Sequence, residues 1–178
     1  MMEIEIRQIL QDDHEALARL DHSFHTDYVW QMALEQDERS KGVQFREVRL
    51  PRSMRVEYPW PEEIVLEDLT DSRNVLVAEK EGHLVGYINI SRNRGKSFAS
   101  VTDLVVARRL RRQGIGSTLL KAAAAWLKQD GISQMRLEMQ PKNHPAINLA
   151  TKLGFEFCGY SDQYFPNFEI ALFFIKKV

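Results

Sequence analysis

The chain has 178 residues, of which 44% are hydrophobic and 28% are charged, a balance typical of one globular domain with a buried core. A formal net charge of -1 gives no reason to expect nucleic acid or an anionic membrane surface as a partner. The single cysteine, Cys158, excludes an internal disulfide, and no apolar run approaches the ~20 residues that cross a bilayer. The first residues lack the basic-then-apolar order of a signal peptide, so we expect a cytoplasmic location.

The first 73 residues give weak structural signals. Alternating polar and apolar residues at 3–7 predict a half-buried strand, and Asp12 or Asp13 can cap a helix after it. Residues 43–50 indicate a strand. Irregular structure is expected around that strand because of the prolines there, Pro51, Pro59 and Pro61.

Clearer signals begin at residue 74. Apolar runs at 75–78 and 85–88 flank the turn residues 79–83 and predict a β-hairpin. A turn at 92–95 then leads to a strand from Phe98 to Val106. This part of the chain therefore predicts three consecutive antiparallel strands.

A loop at 111–116 and a helix follow the third strand. Gly131 can end this helix in a left-handed conformation, and its predicted apolar face consists of Gly116, Leu119, Leu120, Ala123 and Leu127. The remaining elements are a strand at 135–139, a short helix begun by Pro145 and strands at 155–157 and 168–175. The order of elements predicts a mixed α/β fold without internal repeats.

The loop Arg111-Arg112-Gln113-Gly114-Ile115-Gly116 has the composition of an anion-binding site. Its glycines allow a ligand to approach the backbone, and the free N–H groups of the next helix favour a group such as pyrophosphate. A Walker loop is excluded because no lysine follows Gly116. A Rossmann loop is excluded because it needs three glycines and a parallel sheet, whereas this loop follows antiparallel strands.

The residues Arg111-x-x-Gly114-x-Gly116 resemble the signature of the GCN5-related N-acetyltransferase family. Asn143, the segment 137–140 and the Leu-Gly-Phe of 153–155 also resemble family motifs in order and spacing. Within that family, Leu137-Glu138-Met139-Gln140 and the segment 164–174 resemble streptothricin acetyltransferases. The resemblance covers residues 74–178 well and the N-terminal part loosely.

The resemblance implies one domain over residues 1–178, in which residues 1–73 face the acceptor and 74–178 bind acetyl-CoA. It implies a mostly antiparallel sheet, flanked by helices, whose fourth and fifth strands splay apart around the pantetheine arm, as in strand addition. The implied cofactor-binding residues are Leu104, Val105, Val106, Arg111, Arg112, Gln113, Gly114, Ile115, Gly116, Ser117 and Asn143.

The resemblance also implies direct acetyl transfer to a primary amine of a small molecule, without a metal. An alkyl amine is protonated at neutral pH, so a base must remove a proton, and Glu138 stands where family members place one. The tyrosine acid of many relatives is replaced by Ala150, which leaves Tyr164 as the nearest candidate acid. A protein or peptide acceptor, or a non-catalytic acetyl-CoA sensor, remain alternatives.

The acidic segment 57–71 is the candidate wall of the acceptor site, because carboxylates and aromatic rings bind cationic amines. Tyr28 and Trp30 are further candidates, and a solvated loop is the competing interpretation. His22-x-x-His25 lacks a third metal ligand, and Cys158 is predicted to lie in the core. The sequence leaves the oligomeric state open, with a homodimer among the options.

Overall fold

The computed structural model of the protein describes residues 4–72, 74–92 and 97–178. Its strands are β1 (Glu5–Gln8), β2 (Phe24–Gln36), β3 (Lys41–Val56), β4 (Val75–Lys80), β5 (His83–Arg92), β6 (Phe98–Val106), β7 (Gln134–Met139), β8 (Glu156–Ser161) and β9 (Ala171–Lys177). Its helices are α1 (His14–Ala18), α2 (Glu62–Asp71), α3 (Ile115–Gln129) and α4 (His144–Lys152). Short 3₁₀ turns precede α1 and follow β6.

Among the described residues, seven strands form one sheet in the order β1-β4-β5-β6-β7-β9-β8, and β2 and β3 form a separate hairpin. In the seven-stranded sheet, as far as the described residues show, β6 and β7 form the only parallel pair, and the other pairs are antiparallel. The predicted mixed α/β fold with a mostly antiparallel sheet is confirmed.

Two apolar layers cover the sheet. Helices α3 and α4 pack on one face through residues that alternate along the strands, and Met135, Leu137 and Met139 of β7 all point into this core. Helices α1 and α2 pack on the opposite face against Tyr87 and Val105. The sheet therefore separates a large core from a smaller one, and β6 contributes to both.

The sequence predicted the second half of the chain well. Helix α3 buries four of the expected residues, Leu119, Leu120, Ala123 and Leu127, and Gly131 after it has a φ of +74°. Strand β6 has the predicted bounds, and the buried and half-buried residues of β7 alternate. The predicted turn at 92–95 falls mostly outside the described residues.

The N-terminal half departs from the prediction, because a long hairpin extends through the region expected to be irregular. Strand β3 continues through Pro51, which lies in a bulge: the register jumps from Thr26 opposite Met54 to Tyr28 opposite Arg49. A bulge tolerates proline since the residue there donates no ladder hydrogen bond. Most side chains of the hairpin are exposed, so the sequence offered no clear period.

The acidic segment is also more regular than a solvated loop. Pro61 precedes α2 with a φ of -66°, a conformation that suits a helix start, and its carbonyl accepts the amides of Ile64 and Val65. Val65 and Leu69 are buried four residues apart while the carboxylates face outward. The loop interpretation is therefore wrong for residues 62–71.

Two smaller expectations are corrected near the C-terminus. Cys158 is exposed rather than in the core, because β8 lies at the edge of the sheet. Phe168 is 74% exposed and precedes β9, which begins at Ala171. No helix of the described residues is both long and apolar enough to cross a membrane.

Candidate active site

The centre of the site is a cleft that opens between β6 and β7. The two strands pair from Phe98 opposite Gln134 to Val101 opposite Leu137, and their pairing ends there. Beyond that point, β6 stays bonded to β5 as far as Val106. The main chain of Leu104 to Val106 therefore presents an edge that no described strand pairs. In chain order β6 and β7 are the fourth and fifth strands of the seven-stranded sheet, so the expected splay is confirmed.

The loop between β6 and α3 forms a cradle of amides. Gly114 caps α3 with a φ of +90°, and Arg112 also has a positive φ of +67°. No described residue accepts a hydrogen bond from the amides of residues 112–117; Thr118 is the first whose N–H is bonded, to Gly114 at 3.0 Å. Unpaired amides at the start of a fifteen-residue helix fit a pyrophosphate.

Gly116 lies where α3, α4 and β6 meet. A Cβ atom on it would stand 3.4 Å from Leu149 and 3.9 Å from both Leu104 and Val106. The missing side chain therefore allows the start of α3 to lie close to the open edge of β6.

Arg111 holds the loop in place. Its guanidinium donates to the carbonyls of Val106 at 2.8 Å, Ser23 at 2.6 Å and Asp21, and burial lowers its pKa. Its side chain thus ties the loop to β6 and to the segment before β2. Arg112 is exposed, so its charge can meet an anion at this loop.

Asn143 begins α4 on the other side of the cleft. Its Oδ1 accepts the Ala146 amide at 3.2 Å, which makes it the N-cap of the helix. No described residue bonds its Nδ2 group, which can still contact a ligand. Ala150 is fully buried in the same helix and supplies no acid.

Glu138 stands on β7, on the sheet face opposite α3 and α4. Its side chain is 7% exposed, and it accepts hydrogen bonds from Arg136 at 2.7 Å and from the Tyr164 hydroxyl at 2.5 Å. Burial and the bond to Glu138 raise the pKa of Tyr164 to about 12. The two predicted catalytic residues are therefore in direct contact.

Arg136 is itself fixed by its surroundings. Its guanidinium lies 4.5 Å from the ring centres of both Phe98 and Phe173, and its Nε donates to the Ser100 hydroxyl at 3.2 Å. Stacking between two rings restricts the arginine to one geometry. This arrangement orients the Glu138 carboxylate.

A cavity of about 250 Å³ lies beyond the end of β7. Its lining includes Glu57 and Tyr58 from the segment after β3, and Gln140 and Lys142 from the turn after β7. Glu169 completes it, accepting hydrogen bonds from both Gln140 and Lys142. Part of the predicted acidic wall therefore does line a cavity.

A second carboxylate, which was not among the predicted site residues, lies in a cluster of hydrogen-bond donors. Asp103 of β6 is 8% exposed and accepts hydrogen bonds from Tyr58, from Asn89 at 3.2 Å and from Thr102 at 2.9 Å. The signal in the sequence that could have indicated this residue is a single carboxylate within an otherwise mostly apolar strand.

The other aromatic and histidine candidates have structural contacts. Tyr28 stacks on His144 at 4.8 Å, and the Trp30 amide donates to the Pro141 carbonyl, so both lie against the start of α4. His22 uses both ring nitrogens, at 2.5 Å from the Leu20 carbonyl and 2.9 Å from the Tyr87 hydroxyl. No cluster of metal-binding side chains occurs among residues 4–72, 74–92 and 97–178.

The separation of β6 and β7 and the unpaired amides at its open end suit a ligand with an extended arm and a pyrophosphate, as expected for the acetyltransferases that the sequence resembles. The acetyltransferase (GNAT) family model matches residues 43–155, and the chain belongs to that family.

Individual relatives agree with this assignment. The chain is 29% identical to streptothricin acetyltransferase of Streptomyces lavendulae over 160 residues, 87% of this chain and 82% of that protein. The crystal structure of nourseothricin acetyltransferase superimposes with a TM-score of 0.83 at 27% identity, covering 98% of each chain. A Bacillus anthracis protein solved in complex with acetyl coenzyme A shares the fold, with a TM-score of 0.78, 21% identity and coverage of 99% and 100%.

Proposed function

We propose that this protein moves the acetyl group of acetyl-CoA to a primary amine of a small cationic molecule in the cytoplasm. The observation that carries the proposal is the position of Glu138, held beside the point where β6 and β7 separate. Similarity to enzymes named for streptothricin and nourseothricin supports a small-molecule acceptor, and a streptothricin-like or polyamine substrate is the proposed class.

The cofactor side of the proposal uses mainly backbone groups. The open edge of Leu104 to Val106 would bond the pantetheine arm, and the amides of Arg112, Gln113, Gly114, Ile115, Gly116 and Ser117 would receive the pyrophosphate. Arg111 would act by holding that loop. The free Nδ2 of Asn143 would contact the pantetheine from α4. Acetyl-CoA supplies an activated thioester; the protein supplies its orientation.

On the acceptor side, Glu138 would take a proton from the ammonium group through a water molecule, which frees the nitrogen lone pair to attack the acetyl carbonyl carbon. The carbon–sulfur bond breaks, CoA leaves as a thiolate, and the nitrogen passes its extra proton to water as the amide forms. A main-chain N–H of the Leu104–Val106 edge would stabilise the negative charge on the carbonyl oxygen.

Tyr164 suits the support of Glu138 better than the protonation of CoA. Its pKa of about 12 makes it a far weaker acid than the leaving thiol, whose usual pKa is ~8.5. A thiolate with that pKa can also leave without help. We therefore propose that Tyr164 positions Glu138 and that no tyrosine replaces the acid missing at Ala150.

The test is amine-dependent release of CoA from acetyl-CoA, measured by thiol titration against an amine-free control. The panel should contain streptothricin, diamines, monoamines and peptides with free amino termini. Release is expected to rise with small amines. Release with peptides alone would favour a protein acceptor, and tight acetyl-CoA binding without release for any acceptor would favour a sensor.

A further inference from the structure

Two tyrosine–carboxylate pairs flank the cleft, one on each of the strands that separate. Tyr164 donates to Glu138 on β7, and Tyr58 donates to Asp103 on β6. The two pairs differ in charge. Glu138 has the guanidinium of Arg136 at 2.7 Å, whereas no lysine, arginine or histidine in the described ranges forms an ion pair with Asp103.

A β-bulge turns Asp103 toward the acceptor side of the sheet. Val101 lies opposite Ile90 and Asp103 lies opposite Asn89, so Thr102 is an extra residue in β6. Before the bulge, Val101 points into the core formed with α3; after it, Leu104 takes that direction. Asp103 consequently points to the same face of the sheet as Glu138.

Among the residues that the structure describes, no cation compensates the negative charge of Asp103. Its hydrogen-bond donors, Tyr58, Asn89 and Thr102, are all neutral. Its charge also contributes, after burial, to the raised pKa of Asp68 on α2. A buried carboxylate without a cation is costly, and an incoming cation would reduce that cost.

Tyr58 connects this charge to the cavity. It lines the cavity, while the charged side chains around it are already paired: Arg55 with Glu57 at 2.9 Å, and Lys142 with Glu169. Because the Tyr58 hydroxyl gives its hydrogen to Asp103, its oxygen lone pairs are left to accept a further donor.

We propose that Tyr58 and Asp103 bind a second ammonium group of the acceptor, so that the substrate class is a diamine or polyamine. The Tyr58 oxygen accepts an N–H of that ammonium, and Asp103 is a positioning residue that supplies the opposite charge through the tyrosine. The inference rests on the proposed function and adds a requirement for a second cation, away from the amine that is acetylated.

The experiment compares kcat/KM for 1,4-diaminobutane and 1-aminobutane, which share a carbon chain and differ by one ammonium group. Wild-type protein is expected to prefer the diamine by about tenfold to a hundredfold, the factor typical of a hydrogen bond to a charged group. Tyr58→Phe and Asp103→Asn should each reduce this preference mainly by raising KM for the diamine. Tyr160→Phe, an exposed tyrosine on β8, should keep it.

General damage to the fold would lower kcat/KM for both amines alike and leave their ratio unchanged. The ratio therefore reports binding of the second ammonium group. If buried Asp103→Asn does not fold, Tyr58→Phe still removes the hydroxyl alone. A wild-type ratio near one, or an undiminished ratio in Tyr58→Phe, would overturn the inference while leaving the acetyltransferase in place. Absence of CoA release with every amine would overturn both.

Discussion

Glu138 is held by two donors of different kinds, a stacked guanidinium and a tyrosine hydroxyl. If Glu138 is the base, Glu138→Gln should lower kcat by about 10²- to 10⁴-fold, the range for a lost acid–base group, while acetyl-CoA still binds. Steady-state kinetics and calorimetry with acetyl-CoA would measure both.

The matched control for this change is Glu156→Gln, which removes an exposed carboxylate from β8. Its kcat should stay within about threefold of wild type, as expected for a surface change. A Glu138→Gln protein with wild-type kcat would assign the base elsewhere.

The hydroxyl of Tyr164 gives a separate prediction. Tyr164→Phe removes one of the two donors that hold the Glu138 carboxylate in position, while the bond from Arg136 stays. We expect kcat to fall by about three- to tenfold, less than for a lost acid–base group. Steady-state kinetics of the variant beside Tyr160→Phe would measure this. A wild-type kcat in Tyr164→Phe would separate Tyr164 from Glu138.

At the residue scale, motif spacing predicted Glu138, Tyr164 and the glycine loop, because each belongs to a pattern that extends along the chain. Asp103 could not be predicted in the same way. Its direction depends on the bulge at Thr102, and its partner Tyr58 is 45 residues away in sequence. A contact between residues so far apart leaves no repeating pattern in the local sequence.

At the scale of elements, the two glycines at the start of α3 are needed for different reasons: Gly114 for its backbone conformation and Gly116 for its close packing. Gly114 has a φ of +90° with nothing within 4 Å of the place where a Cβ atom would stand, so Gly114→Ala should cost ~1–2 kcal/mol from backbone conformation alone. Gly116→Ala should cost less, because helix propensity offsets its 3.4 Å contact with Leu149.

Thermal unfolding would measure this pair of variants. Since 1 kcal/mol shifts Tm by about 2–4 °C in a chain of this size, Gly114→Ala should lower Tm by about 2–8 °C. Equal Tm values for the two variants would contradict the assignment of strain to Gly114.

Arg111 predicts a functional loss through the loop it holds. Arg111→Met keeps the aliphatic stem but removes the bonds to Val106, Ser23 and Asp21, and should raise the Kd for acetyl-CoA by about tenfold, equivalent to ~1.4 kcal/mol. Arg109→Met removes an exposed charge from the same segment and should change the Kd little. Similar losses in both variants would point to bulk charge rather than loop anchoring.

The elements themselves were predictable where burial imposes a period. Helix α3 and strand β7 each bury one face, and their sequence patterns match. The β2–β3 hairpin is exposed over most of its length and alternates only in short stretches, so its residues carry a weak period. Helix α2 was obscured because Val65 and Leu69 form a narrow apolar stripe among acidic residues.

For the whole molecule, buried and paired groups predict two losses of stability in acid. Burial lowers the pKa of His22 below its ordinary 6.5, so the unfolded chain binds a proton first and stability falls as pH drops through that value. The bond from Arg7 lowers the pKa of Asp13, so its contribution is complete above the ordinary carboxyl value of ~3.9 and is lost below it.

Thermal unfolding between about pH 7.5 and 5.5, on either side of the ordinary histidine pKa, would isolate the first loss. His22→Gln should flatten Tm over this range, and His83→Gln, at the exposed start of β5, should not. Parallel Tm curves for wild type and His22→Gln would assign the acid loss to another group.

The extra residue in β6 has a consequence for how this chain can change length. Because side chains alternate along a strand, removal of Thr102 would send Asp103 into the layer beneath α3 and expose Leu104 to the cleft. Every later side chain of β6 would change face, so both apolar layers and the active site would be altered at once. Homologous chains that keep this cleft should therefore tolerate substitutions here more readily than a one-residue gap, so chain length is as constrained as residue identity.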